Sequence, residues 1–154
     1  MTVYCFDTSA LLQPYVHVYP PSVFARIWEN IDAAIDAGVI LAPDAVMDEI
    51  EKKDDDLLAW AKDRKGMFLP LETDIQAGTT EILTAFPKLI EAGKMRTEAD
   101  PFVVATARVH GHTVVTEEIR QPNRKNTQIP EVCDFYKVPV TNFLGFMQAQ
   151  GWSF

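Results

Sequence analysis

Five short apolar runs set the frame for what this chain can fold into. They are "VYCF" (3–6), "GVILA" (38–42), "MFLPL" (67–71), "HTVVT" (112–116) and "VPVT" (138–141). None alternates apolar with polar residues as a half-exposed strand does, so each reads as a strand buried on both faces. Helix-type segments separate them. In "SVFARIWENIDAAIDAG" (22–38), Phe24, Ile27, Trp28, Ile31 and Ile35 recur at helical spacing, with Ser22 as the expected N-cap and Gly38 just past the end. Further helices are expected after "APD" (42–44), near Asp74, over "DPFVVATARV" (100–109) and over "NFLGFMQAQ" (142–150). Strands that alternate with helices through short connections imply an α/β fold: a central parallel sheet of about five strands, covered by helices on both faces as a three-layer sandwich.

Length and charge narrow the function. The 154 residues fit one domain, 1–154. A domain of that size buries roughly 68–70% of the surface its unfolded chain exposes, so it needs no staple. Two cysteines, Cys5 and Cys133, make no disulfide framework, and Cys5 sits in an apolar strand as a small hydrophobe. No apolar run is long enough to cross a bilayer and no signal-peptide pattern opens the chain, so it reads as cytoplasmic. The net charge is −8, so the surface as a whole does not attract nucleic acid. Residues 1–74 hold 14 acids and 6 bases, whereas 75–154 hold 8 of each, which places all the excess acid in the first half. "EKKDDD" (51–56) reads as a solvated helix face or loop. No GxGxxG or phosphate-binding GK[ST] loop is present, which argues against a nucleotide cofactor.

Ligand sites of open parallel sheets lie beyond the carboxyl ends of the strands. Four acids converge there. Asp7 ends the first run, in "VYCFDTSALL", and Glu118 follows "TVVT". The helix in "ADPFVVATARV" leads through "HGH" into the strand before Glu118, so its start, at Asp100, lies on the same edge. In "DAVMDEIEK" (44–52), counting about 100° per residue from Val46 puts Ile50 at roughly 40°, Glu49 at roughly −60° and Asp48 at roughly 200°. Glu49 therefore borders the apolar stripe, and Asp48 faces solvent. Clustered carboxylates repel one another and persist where a hard cation neutralises them. Oxygen donors without paired His or Cys favour Mg²⁺ or Mn²⁺. One or two such ions activate water for in-line attack on a phosphate, which points to phosphodiester hydrolysis.

"FDTSALL", the acid in "VMDEI", "ADPFVVATA" and "VVTEE", in that order, resemble the PIN-domain nucleases over nearly the whole chain. The resemblance implies a PIN-like fold and metal-binding acids at Asp7, Glu49, Asp100 and Glu118, with Ser9 as the polar residue after the first aspartate. It also implies a VapC-like endoribonuclease toxin acting on RNA, a protein antitoxin as partner, and a homodimer. The fourth motif departs from the family, where an Asp often stands in place of Glu118. The tail "KNTQIPEVCDFYKVPVTNFLGFM" departs from the commonest toxins and looks like a separate PIN branch.

Plainer roles are open to the same residues. Asp7 suits an N-cap before "TSALL", and Asp100 before Pro101 suits one too. Glu117 adjoins Glu118, and along an extended strand only one of the pair faces the site. Thr8 and Ser9 serve equally as turn or cap hydroxyls. The loop "RQPNRKN" (120–126) puts Arg120, Arg124 and Lys125 over the acidic edge, for phosphate contact or as an ordinary polar loop. His17, His110 and His112 lack metal-ligand spacing. "YVHVYPPS" (15–22) shapes the site mouth or an oligomer contact, and "GWSF" ends in aromatics that dock on their own domain. Two rival functions are a phosphotransferase or phosphatase with Asp7 as nucleophile, to which "FDTS" is similar, and a catalytically silent PIN-fold interaction module. The first normally wants a second acid two residues on, where Ser9 stands.

Overall fold

In the computed structural model, which describes residues 1–89, 99–120 and 128–154, the five expected strands form one parallel sheet. The strands are β1 (Tyr4–Phe6), β2 (Ile40–Pro43), β3 (Phe68–Leu69), β4 (Thr113–Val115) and β5 (Val140–Thr141). Their spatial order is β3-β2-β1-β4-β5. The chain builds outward from β1 through β2 to β3, then crosses back and places β4 on the other side of β1. The topological switch point therefore lies between β1 and β4. Phe6 pairs with Val115 across that junction, and the Asp7 amide donates to the Val115 carbonyl at 2.9 Å.

Eight α-helices accompany the sheet among the described residues: α1 (Thr8–Leu12), α2 (Ala25–Asp36), α3 (Asp44–Glu51), α4 (Asp55–Lys62), α5 (Thr73–Ala85), α6 (Asp100–His110), α7 (Ile129–Tyr136) and α8 (Phe143–Ala149). None of them is long and apolar enough to cross a membrane. Strand alternation assigns the layers. The Cys5 thiol reaches the Val103 carbonyl of α6, at 3.7 Å. Tyr4 and Phe6 point the other way, where both rings meet Phe146 of α8 edge-on at 4.8 and 5.2 Å. Phe143 of α8 continues that layer by stacking on Trp28 of α2 at 5.8 Å. Both faces are covered, as an all-parallel sheet requires. Cys5 and Cys133 are both fully buried.

Several boundaries differ from the expected ones for local reasons. The α2 helix starts at Ala25, not after Ser22, because the amides of Val23 and Phe24 both turn back onto the Pro20 carbonyl. Phe24 is consequently 40% exposed instead of continuing the apolar stripe. The third strand shrinks to two residues: Met67 closes a turn onto Arg64, and Pro70 has no amide to donate. "EKKDDD" proves to be a helix start. Asp54 caps α4 by accepting from the Leu57 amide at 2.8 Å, and Asp55 and Asp56 occupy the first turn. Beyond α4, Arg64 makes a two-point contact with Asp32 of α2, at 2.5 and 2.8 Å, while lying over the Trp60 ring at 4.5 Å. "GWSF" divides: Trp152 docks edge-on against Phe146 at 5.4 Å, whereas Phe154 is exposed.

The turn between α3 and α4 carries Lys53 to the site described below, so the cap that fixes it is worth testing. Asp54→Ala removes the acceptor for the Leu57 amide and should cost about 1 kcal/mol. Chemical denaturation should show a lower midpoint with an unchanged slope.

Candidate active site

Asp7 is the last extended residue after β1 and the first cap of α1. Its backbone (φ −78°, ψ 160°) keeps the strand direction while its side chain turns back over the helix start. The carboxylate is only 2% exposed and is satisfied by three donors. Oδ1 accepts from the Thr8 amide at 2.7 Å. Oδ2 accepts from the Ser9 hydroxyl at 2.6 Å and from the Thr116 hydroxyl at 2.9 Å. Thr116 is available because β4 lies beside β1, and its own amide donates to Thr141 of β5 at 3.0 Å. Burial raises the Asp7 pKa, and the donors from Ser9, Thr116 and the α1 backbone pull it part of the way back.

The two hydroxyls also hold the next turn of chain. Ser9 Oγ accepts from the Glu117 amide at 2.9 Å, and Thr116 Oγ1 accepts from the Glu118 amide at 3.1 Å. One small network thus fixes Asp7 and the backbone of both candidate glutamates. The Ser9 hydroxyl donates to Asp7 while accepting from the Glu117 amide, so it orients the carboxylate. The glutamate side chains part as strand alternation demands. Glu117 turns toward α8, where its Oε1 accepts from the Phe143 amide at 2.9 Å, and its half-burial raises its pKa. Glu118 joins the cleft and accepts from the Ile129 amide, at the start of α7, at 3.1 Å.

That cleft, of about 170 Å³, is lined by Asp7, Thr8, Ser9, Leu12, Gln13, Glu49, Lys53, Asp100 and Glu118. All four acids singled out in the sequence meet there, each from a different element. Glu49 is 7% exposed on α3 and accepts from the Ala99 amide at 2.7 Å, which fastens α3 to the start of α6. Asp48, next to it, is exposed. Asp100 does not cap α6: Ala99 holds the cap position, with no side-chain cap bond, and Asp100 is the first helical residue. An acid there still suits the positive end of the helix dipole.

Three groups in or beside the cleft escaped sequence reasoning. Thr116 was legible only as a strand terminus, since its contact with Asp7 depends on the strand order. Gln13 follows α1 directly. Lys53 lay inside an acidic run and contributes an exposed ammonium to the wall. Arg120 stands outside the cleft, paired at two points with Asp134, both at 2.8 Å. Arg124 and Lys125 lie outside the described residues. His110 is exposed, and together with Glu72 and Asp74, also exposed, it brings donor atoms within 4.8 Å of one another. That trio sits at the far end of α6 from Asp100, about 15 Å along the helix, so it is separate from the cleft.

The donor set of the cleft suits a hard divalent cation. It consists of carboxylate oxygens with no His or Cys, and its most buried member, Asp7, already has its orientation fixed. Asp7, Glu49, Asp100 and Glu118 are the residues that would hold such an ion.

The architecture matches solved structures and shows a PIN-like α/β fold. The chain is similar in fold to the crystal structure of VapBC2 from Rickettsia felis bound to a DNA fragment from their promoter, with 14% identity over 92% of this chain and 98% of that one, and a TM-score of 0.53. It is also similar to FitAcB from Neisseria gonorrhoeae, with 18% identity, 92% and 99% coverage and a TM-score of 0.54, and to FitAB bound to an IR36 DNA fragment, at 17%, 91% and 94%, and 0.52. At such identities the likeness establishes the fold. The chain belongs to the family described as a domain of unknown function, DUF4411, whose model matches residues 4–154. No curated protein sequence matches it.

The hydroxyl network makes a measurable statement about Asp7. Thr116→Val and Ser9→Ala each remove a donor that favours the charged carboxylate, so each should raise the Asp7 pKa further. A carbon-detected NMR titration of the Asp7 carboxyl checks this, and an unchanged or lowered pKa in both variants contradicts it.

Proposed function

We propose that this chain is an endoribonuclease that uses Mg²⁺ or Mn²⁺ to hydrolyse RNA phosphodiester bonds, as the toxin of a toxin–antitoxin pair. The observation that carries the reading is the meeting of four carboxylates from four elements in one cleft at the switch point of a parallel sheet. A structural role explains one buried acid with hydrogen-bond partners. It does not explain four on the same edge.

A divalent cation held there supplies Lewis acidity, activating water and neutralising charge that develops on the phosphate. The chain's own contribution is preorganisation. Thr8, Ser9 and Thr116 hold the Asp7 carboxylate so that it does not reorient when substrate arrives. Glu49 and Glu118 are steadied by the amides at the starts of α6 and α7. The Lys53 ammonium offers a positive contact to an incoming phosphate beside the acids. The PIN-like fold shared with the VapBC2 and FitAB structures supports the toxin reading and an antitoxin as protein partner.

Cleavage and folding must be read on the same variant. Purified protein should cut RNA with Mg²⁺ or Mn²⁺ and leave it intact with chelator. Asp7→Asn should abolish cleavage because it loses the charge that holds a hard cation. Stability should move the other way. The Asp7 pKa is raised in the fold, so its favourable contribution is complete below the ordinary carboxylate range and disappears as pH rises through the elevated value. Above that elevated value the asparagine, uncharged and still able to cap, should therefore hold or raise Tm. Unchanged cleavage by folded Asp7→Asn contradicts the mechanism. Glu118→Gln should impair cleavage far more than Glu117→Gln, and the reverse ranking would reassign the fourth ligand.

A further inference from the structure

A second cleft, of about 270 Å³, opens at the carboxyl ends of β4 and β5 and is lined by Thr116, Glu118, Ile119, Arg120, Pro130, Val140, Thr141 and Asn142. Glu118 lines both clefts, so the two meet at that side chain. Thr116 ties them together a second time, since it lines this cleft and donates to Asp7 in the other. The acidic cleft by itself is smaller than the roughly 300–1,000 Å³ of ordinary ligand sites, and the two together reach that range. A polynucleotide whose phosphate sits at the acids must place a neighbouring base nearby, and this is the adjoining concavity.

Its chemistry suits a nucleobase better than a phosphate. Arg120, the cation on its rim, is already paired with Asp134. Ile119 presents an apolar side chain, 60% exposed, against which a planar ring can lie. Two polar groups at the end of β5 have no hydrogen-bond partner among the described residues. The Thr141 backbone serves Thr116, but its hydroxyl is uncommitted. Asn142 accepts from the Gly145 amide through Oδ1 at 2.8 Å, which fixes the amide plane and leaves Nδ2 as a donor of set direction. A hydroxyl and an amide donor beside an apolar wall are what reading the edge of an unstacked base requires.

We propose that this cleft seats the nucleobase adjoining the scissile phosphate, with Thr141 and Asn142 reading its edge. The inference rests on the nuclease reading above and adds to it a residue-level source of sequence preference. Neither residue belongs to the acidic cluster, so both can be changed without touching it. Asn142→Ser keeps the helix cap and removes the amide donor. Thr141→Val keeps the shape and removes the hydroxyl.

The test uses two substrates: RNA of mixed sequence, and bis(p-nitrophenyl) phosphate, a diester with no base. Losing one neutral hydrogen bond that is equally strong in the ground and transition states should raise KM for RNA by about two- to tenfold with kcat unchanged. Each variant should also relax the base preference at the cut site, and both should hydrolyse the small diester at the wild-type rate. Wild-type KM and base preference in both variants overturn the subsite. Equal slowing on the two substrates also overturns it, by showing a structural effect on the acidic cleft. A wild-type protein that cleaves neither substrate overturns the nuclease reading itself, and the subsite with it.

Discussion

A carboxylate buried almost completely at the end of the central strand is the constraint around which this molecule is built. An ionised acid at 2% exposure is costly unless its oxygens are satisfied. The satisfaction of Asp7 draws on three places: the first turn of α1, the Ser9 hydroxyl, and Thr116 from the neighbouring strand. Each of these constrains a further element. Ser9 and Thr116 fix the backbone of Glu117 and Glu118, and Glu118 in turn accepts from the start of α7. The edge of the sheet is therefore a connected polar network around one buried carboxyl group, in which each partner has little freedom of its own.

The topology explains why the network forms there. Only at the switch point do two adjacent strands send their following chain in opposite directions, leaving a crevice between β1 and β4. The helices complete it from their ends. The last turn of α3 and the start of α6 are joined by the bond from the Ala99 amide to Glu49, so the two remaining acids approach as one unit. The rest of the fold keeps this edge rigid. Phe6 of β1 is held from below by Phe146, and α4 is tied to α2 by the Arg64–Asp32 contact over Trp60.

Much of this was legible in the sequence because burial on both faces leaves an unmistakable mark. Short apolar runs without alternation give the strands, and an acid after such a run gives an edge. Glu49 was legible by helical phase alone, and its burial beside exposed Asp48 follows from one step of about 100° on the wheel. Strand order was not legible. Without it, the contact of Thr116 with Asp7, 109 positions apart, has no sequence signature. Lys53 and the cap role of Asp54 were hidden by the charge run around them, since a run of like residues does not reveal which member turns inward. The Ser22 cap failed for a different reason: the hydroxyl has the right chemistry, but Pro20 captured the amides that would have begun the helix.

The four acids of the switch-point cleft are proposed to act together as one cation site. Diffraction from a Mn²⁺-soaked crystal, recorded at the manganese absorption edge, tests it most directly. An anomalous peak is expected inside the cleft bounded by Asp7, Glu49, Asp100 and Glu118. Density at the exposed Glu72, Asp74 and His110 trio alone, or no peak in a fully soaked crystal, would contradict it.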